Sequence, residues 1–334
     1  MEVKNLNETQ KKMCRELFVS GSLPNRTLAD RLGISYPGLT LAAEPLVRKK
    51  VLLKGKEAPT GKVGRTEENL CLNPKAFYML GIDIRRHSYL VCLTDFTGAE
   101  VEKKKIMTLL ELADYIKQLK EGYTPIMGIG VTIRGYYNFG RFLEENIEFV
   151  SVLDECRLPY HCLSYVESLA CIYKLHHQKD DNFLLLKYGP YVDSAIFVNG
   201  KCVKDGNGQA ADVARTYVDG ETLGEGYWFR ALLQGEKPEP EQALDMLKAQ
   251  PAQYERFISA MAKTIVNADA TCALERVILT GYIFQDDEVN SDLEDAILEI
   301  NPDYDTNKNV HYDGYDEVAD RKGALQVFID NFCI

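Results

Sequence analysis

The sequence predicts an α/β chain in two parts: a small basic helical module, then a larger acidic body in which one series of strands and helices occurs twice. Charge gives the first indication. Residues 1–70 hold 13 Lys and Arg against 8 Asp and Glu, a net of +5, and residues 71–334 hold 26 against 42, a net of −16, which together make the −11 of the whole chain. Such asymmetry describes a small basic binding module carried by a body that phosphates repel. Periodicity gives the second, because apolar residues recur at helical spacing behind capping residues as far as Arg48. The third is a pair of similar strand runs, beginning at Phe77 and again at Phe183. A chain of 334 residues with 46% hydrophobic residues buries a sizeable core and suggests two or three structural units.

The first helix opens at Asn7-Glu8-Thr9-Gln10, with Asn7 as cap and Gln10 at the third position, and its apolar face is Met13, Leu17 and Phe18. Gly21-Ser22-Leu23-Pro24 ends it. Asn25 is the expected cap of a short helix, Arg26 to Leu32; Gly33 makes the turn, and Ser35 caps a third helix with Tyr36 and Pro37 in its first turn. Pro45 predicts a kink or an early end to that helix. Helix, short glycine turn and helix make the helix-turn-helix outline. Two apolar runs, Val51-Leu52-Leu53 and Leu70-Cys71-Leu72, flank a basic Gly/Pro loop and form a wing. Residues 1–72 are therefore expected to be a winged helix-turn-helix that meets DNA through Arg26, Ser35, Tyr36, Thr40, Arg48, Lys54, Lys56, Lys62 and Arg65. The early exposed positions of the third helix, Tyr36, Gly38, Thr40 and Leu41, lack Arg, Lys, Asn and Gln, so strong base discrimination has to come from Tyr36, Thr40, the wing or DNA shape. A helical protein-docking module is the alternative.

The body follows as strands at Phe77 to Asp83, Tyr89 to Asp95 and Glu100 to Met107, with a turn at Asp95 to Gly98. A helix spans Leu110 to Gly122, a buried strand Ile126 to Val131, and a further helix Phe142 to Asn146. Val150-Ser151-Val152 and Tyr160 to Leu163 frame another strand region, and Val166 to Leu175 is helical. The second series runs Phe183 to Gly189, Val192 to Val198, a turn at Asn199-Gly200, and Cys202-Val203. Helices at Tyr227 to Leu233, Pro240 to Ala249 and Gln253 to Ala270, a strand Arg276 to Gly281 and a final helix Arg321 to Phe332 complete it. This repeat is the outline of two ribonuclease-H-like lobes of the actin and sugar-kinase type, lobe one being about 73–162 with 321–334 and lobe two about 163–320. His176-His177 reads as a solvated helix end, and Asp303-Tyr304-Asp305 with Asp313 through Asp316 as a surface loop. Nine scattered cysteines without a Cys-x-x-Cys pair read as buried thiols, and no run of 18 apolar residues or secretory leader is present, so the expected compartment is the cytoplasm, with no membrane.

At this point the chain resembles the ROK group (repressors, open reading frames and sugar kinases), and specifically its repressor branch with a winged helix. The resemblance spans nearly the whole chain. It rests on Thr60 to Thr66 leading to Leu72-Asn73-Pro74, Leu80-Gly81-Ile82-Asp83-Ile84, Gly128-Ile129-Gly130-Val131, Asn199-Gly200-Lys201, Asp205 to Ala211, and Leu279-Thr280-Gly281. It implies dimerisation, as a homodimer or a dimer of dimers on a double-stranded operator, and a body related to sugar kinases.

Residue by residue, the chemistry implied by the resemblance is missing. The first phosphate turn has Arg85 where glycine is expected, the second keeps Gly189 but adds Asp193, and the adenosine-packing glycine run is reduced to Thr280-Gly281-Tyr282. Ser164-Tyr165 stands at the place of the catalytic asparagine and aspartate, and a phenol is a poor base at neutral pH. Arg215 stands at the zinc histidine, with no cysteine between Cys202 and Cys272; Asp212 replaces a sugar-site glutamate. No catalytic residue, cofactor or metal is therefore expected. What remains around the cleft is Arg85, Arg134, Asn138, Tyr165, Glu167, Asp212 and Arg215 with Tyr136 and Tyr137. Either these arginines bind a sugar, sugar phosphate or sugar acid effector, or they pair with Asp83, Asp193, Glu167 or Asp212 in a closed structural cleft. The expectation as a whole is a DNA-binding transcriptional regulator, a repressor of carbohydrate-related genes. The alternatives are a protein-binding scaffold and an active sugar kinase.

Overall fold

A computed structural model describes residues 6–56, 68–85, 87–133, 144–188, 192–206, 208–226, 240–313 and 320–333. The chain divides into two compact units: one of Met1–Ile133, Asn146–Leu163 and Asp320–Ile334, the other of Arg134–Glu145 and Ser164–Ala319.

In the first unit, α1 (Glu8–Ser20) begins at a capping box: Asn7 Oδ1 accepts the Gln10 N–H at 2.9 Å, and Gln10 Oε1 accepts the Asn7 N–H at 3.2 Å. Helices α2 (Asn25–Leu32) and α3 (Tyr36–Arg48) follow, joined at Gly33, whose φ of 65° lies in the left-handed region that favours glycine. Met13, Cys14, Leu17, Leu28, Leu39 and Leu46 are buried. Strands β1 (Ser22–Pro24), β2 (Leu52–Lys56) and β3 (Glu68–Leu72) form an antiparallel sheet in the order β1-β3-β2.

Several expectations need correction here. Ser22-Leu23-Pro24 is a strand, because Leu23 pairs opposite Leu70 and is buried by it. That pairing puts Pro24 at the helix cap and moves Asn25 into the first helical position, where its side chain caps nothing. Pro45 does not end α3. The bond lost is to the carbonyl of Leu41, whose side chain is exposed, while buried Leu46 and the Val51 N–H to Leu46 carbonyl bond of 2.8 Å hold the last turn.

The sheet of the first unit has five strands, β4 (Tyr78–Arg85), β5 (Ser88–Asp95), β6 (Glu100–Ile106), β7 (Ile126–Ile133) and β8 (Tyr160–Ser164), in the order β6-β5-β4-β7-β8. β4 is antiparallel to β5 and parallel to β7. Helix α4 (Leu109–Gly122) packs with α5 (Ile147–Glu155). The second of these replaces the expected strand at Val150 to Val152: Phe149 and Leu153, four residues apart, are both buried, and four-residue spacing selects the helix over the strand for a short apolar run.

A last helix returns to this sheet from the far end of the chain. We number it α10 (Lys322–Phe332); it crosses β4 and β7 where three glycines meet. A Cβ on Gly81 would stand 2.5 Å from the Ala324 nitrogen, and one on Gly130 would collide with the Gly323 carbonyl. Its first residue, Lys322, is 1% exposed and places Nζ 3.3 Å from Asp83 Oδ1, which also accepts from Thr132 Oγ1 at 3.1 Å. Its other end carries Phe328, stacked on Phe18 of α1 at 3.8 Å and on Phe332 at 4.6 Å. The predicted Asp95 to Gly98 turn sits beside them, with Gly98 in the left-handed region at φ 80° and its carbonyl accepting from Arg321 Nη1 at 2.9 Å. The amino-terminal helices and this sheet thus share one core, which is why they fall in a single unit.

The second unit repeats the strand order. β9 (Phe183–Tyr188), β10 (Val192–Val198), β11 (Lys201–Cys202), β14 (Arg276–Thr280) and β15 (Val310–Asp313) lie as β11-β10-β9-β14-β15, and β12 (Tyr217–Val218) and β13 (Glu221–Thr222) pair separately. β9 is antiparallel to β10 and parallel to β14, as β4 is to β5 and β7. Phe183 and Leu185 pack under α6 (Tyr165–His176), and Leu184 and Leu186 join the larger core with Phe257, Met261 and Ile265, so the continuous apolar run is a strand covered on both faces. Helices α7 (Pro240–Lys248) and α8 (Pro251–Cys272) match expectation, and α9 (Asp287–Ile300), which was not anticipated, buries Val289, Leu293 and Ile297 behind an Asp286 cap. Of the residues expected as a surface loop, Tyr304 is buried and Asp313 ends edge strand β15, whereas residues 314–316 lie outside the described residues; four residues sufficed for that strand because the pairing with β14 supplies the register. The expected helix at 227–233, and residues 142–143 of the expected helix before α5, lie outside the described residues. All nine cysteines are free, but Cys14, Cys92 and Cys156 alone among them are buried.

Two consequences can be measured. Lys322→Met removes the buried ammonium and leaves the Asp83 carboxylate to Thr132 and the partly exposed Arg85, which should cost about 3 kcal/mol in urea denaturation, while adding Asp83→Leu should restore part of the loss; purely additive losses would exclude coupling between Lys322 and Asp83. Phe18→Ala should lower the stability of the whole first unit by about 2 kcal/mol, and an unmoved unfolding midpoint of its sheet would show the amino-terminal helices to be independent of α10.

Candidate nucleic-acid interface and body site

The exposed surface of α3 is set by its own cap. The Ser35 hydroxyl oxygen accepts the Gly38 N–H at 3.2 Å, which starts the helix and turns Tyr36 outward, 50% exposed. Thr40 Oγ1 donates to the Tyr36 carbonyl at 3.1 Å, so its oxygen is left as an acceptor. Arg26, at the start of α2, and Arg48, in the last turn of α3, are exposed. Lys54 pairs with Glu68 at 2.9 Å, and the Glu68 hydrogen bond and charge raise its pKa. Lys56 stands opposite Glu68 in the β2-β3 register. Lys62 and Arg65 lie outside the described residues. Between α3 and these strands runs a groove of about 600 Å³ lined by Tyr36, Thr40, Glu44, Arg48, Lys54 and Glu68 among others. The structure therefore brings together Tyr36, Thr40, Arg48 and Lys54. Sequence reading missed Glu44 and Glu68; the four-residue step from Thr40 to Glu44 was the available signal.

Arg85, the candidate anion ligand of the first unit, is occupied. Its Nε lies 3.1 Å from Asp83 Oδ2 and its Nη2 3.0 Å from Asp320 Oδ1, and Asp320 also meets Lys103 at 3.3 Å. Arg85 follows the ion-paired alternative rather than an open anion site. Neither Asp320 nor Lys322 was anticipated; a lysine heading the apolar run Ala324-Leu325 and Val327 to Ile329 was the signal.

In the second unit, Tyr165 and Glu167 open α6, where the Ser164 hydroxyl oxygen caps the Glu167 N–H at 3.1 Å. Tyr165 is buried with the Lys187 ammonium 5.2 Å from its ring centre. Glu167, also buried, meets Lys204 Nζ at 2.6 Å; burial disfavours the ammonium, but the bond and charge of Glu167 more than offset it and hold the pKa above the ordinary lysine value. Lys204 bridges to Ala210, two residues before Asp212. Asp212 caps a turn of 3₁₀ helix, Val213–Arg215, accepting the Ala214 N–H at 2.9 Å and the Ser194 hydroxyl at 2.8 Å. Burial lifts its carboxyl above the ordinary range, against those bonds and the charge of Arg215. Arg215 is exposed. Arg134 and Asn138, with Gly189 to Tyr191 of the second phosphate turn, lie outside the described residues. Among the described residues no group of three or more His, Cys, Asp and Glu is placed to hold a metal ion, and no helix is long and apolar enough to cross a membrane.

No protein-family model matches the chain, and no curated protein matches its sequence. Solved structures do match its fold. A ROK family transcriptional regulator, described as a homologue of the E. coli Mlc protein, superposes with a TM-score of 0.71 at 14% identity over 97% of this chain and 98% of that one. A ROK family protein from Streptococcus pneumoniae in complex with sucrose matches at a TM-score of 0.59 and 16% identity, over 75% of this chain and 98% of its own. A ROK hexokinase from Thermus thermophilus matches at 0.60 and 15%, over the same 75% and 98%. The structural neighbours are ROK family proteins, and the chain has the mixed α/β fold of the regulator over nearly its whole length, while the other two share the fold of three quarters of it.

Proposed function

We propose that the chain is a DNA-binding transcriptional regulator, a repressor of carbohydrate-related genes acting in the cytoplasm. Residues 1–72 form its winged helix-turn-helix and residues 73–334 a ROK-like body, with lobe one at about 73–162 plus 321–334 and lobe two at about 163–320. The observation that carries this is the exposed α3 surface beside the lysines of β2, on a chain whose fold match with a ROK regulator extends over 97% of its length. Arg26, Ser35, Tyr36, Thr40, Arg48, Lys54, Lys56, Lys62 and Arg65 make the DNA-facing set, with Ser35 acting through its cap. A single winged helix makes few phosphate contacts, so useful affinity calls for two of them, as a homodimer or a dimer of dimers.

The body does no phosphoryl transfer on this reading. Asp83 is committed to Lys322, Arg85 and Thr132, and Tyr165 replaces a base with a phenol. No cofactor or metal is assigned. It serves dimerisation and the sensing of a sugar, sugar phosphate or sugar acid, with Tyr165, Glu167, Asp212 and Arg215 as contacts of the second unit and Arg134 and Asn138 as further candidates. The sugar kinases among the structural neighbours favour a second reading, a kinase; ATP consumption with a panel of sugars would reveal it.

Mobility shift with double-stranded DNA flanking the gene should show binding whose affinity falls by orders of magnitude between about 50 and about 200 mM salt. Absence of any salt-sensitive complex would leave a protein-binding scaffold in its place. Thermal-shift measurement against sugars, sugar phosphates and sugar acids should raise Tm with one class, and a flat response to all three would remove the effector role.

A further inference from the structure

The groove beside α3 carries hydrogen-bond acceptors on Asn25, Thr40 and Glu44, flanked by the cations Arg48 and Lys54. Tyr36, Thr40, Glu44 and Arg48 succeed one another at four-residue steps, so they form one stripe along the helix, and all four line the groove. Glu44 is exposed, and its negative charge is one of those that raise the pKa of Lys54, which lines the same groove. The Thr40 hydroxyl has spent its hydrogen on the Tyr36 carbonyl, which leaves it an acceptor too. Asn25, 9% exposed in the same groove, has a side-chain oxygen without a hydrogen-bond partner.

A carboxylate on a DNA-reading helix is repelled by phosphates and by the O6 and N7 acceptors of guanine. It is accommodated where an amino group points at it, and in the major groove the amino donors are N4 of cytosine and N6 of adenine. Glu44 lies a little over two helical turns, about 12 Å, along the stripe from Tyr36. Arg48 stands one turn beyond it, and Lys54 faces it from β2. The Lys54 to Glu68 pair is exposed and therefore weak, so a phosphate can take the ammonium from Glu68.

We propose that Glu44 is the specificity-determining residue of this face, accepting from N4 of a cytosine in the major groove, with Thr40 accepting from a neighbouring amino group and Arg48 and Lys54 holding the flanking phosphates. This rests on the DNA-binding reading above. The test is selection of duplexes from a randomised pool by the full chain, comparing wild type with Glu44→Gln and Glu44→Ala, each checked for an unchanged melting curve. Wild type should enrich cytosine about tenfold or more at one position of each half-site. Glu44→Gln should move that position to adenine, whose N6 and N7 suit an amide, and Glu44→Ala should lose the preference. If the three proteins enrich the same sequence and Glu44→Gln merely binds everything more tightly, Glu44 is a repulsive charge and the inference is overturned. If wild type retains no duplex at all, the DNA-binding reading fails and takes this one with it.

Discussion

The first unit depends on one close approach: α10 lies on β4 and β7 at backbone distance because Gly81, Gly130 and Gly323 leave nothing between them. Three glycines in contact carry no side-chain energy of their own, and their value is in what the approach permits. It brings Lys322 within reach of a buried carboxylate at one end of the helix and Phe328 against Phe18 at the other. A buried ammonium is costly unless paired, so Asp83 and Lys322 hold the register of the helix as much as its stability. A strand end that in a phosphate-binding protein would be left open is here closed by the protein's own cations.

That closure changes what a family likeness can mean. Arg85 alone is one substitution in a turn. Together with Lys322, Asp320 and Lys103 it is part of a continuous ion network around Asp83. The second unit shows the same tendency, with Glu167 answered by Lys204 and Asp212 by Ser194 and its own backbone. Polar side chains inherited at these places have found partners inside the chain. The α3 groove differs, because the Asn25 oxygen is left without a hydrogen-bond partner there and Glu44, Arg48 and Lys54 are exposed along it.

Much of this was legible in the sequence where local rules act alone. The capping box of α1, the glycine turns and the apolar strands Phe183 to Leu186 and Arg276 to Thr280 each follow from a few adjacent residues. What escaped depended on a distant partner. Ser22 to Pro24 becomes a strand because β3 is there to receive it, and Val310 to Asp313 because β14 is. The run at Val150 to Val152 reads as strand in isolation, and it is helical because Phe149 and Leu153 are buried together on one face. Asp287 to Ile300, rich in acids, hides its apolar residues at Val289, Leu293 and Ile297 among charges that only one face exposes.

By itself the sequence determined the two-part α/β plan, the repeated strand series, the basic amino-terminal module and an arginine, Arg85, two residues after the acid of the first body strand, since each is written in spacing or composition. Tertiary structure alone decided that α1 packs on the last helix of the chain, that Asp83 is neutralised by Lys322 from the far end of the sequence, and that Glu44 faces a groove. The physical reason is range. Caps, turns and periodicity act over a few residues, whereas burial and ion pairing join residues whose separation along the chain carries no signal of their meeting.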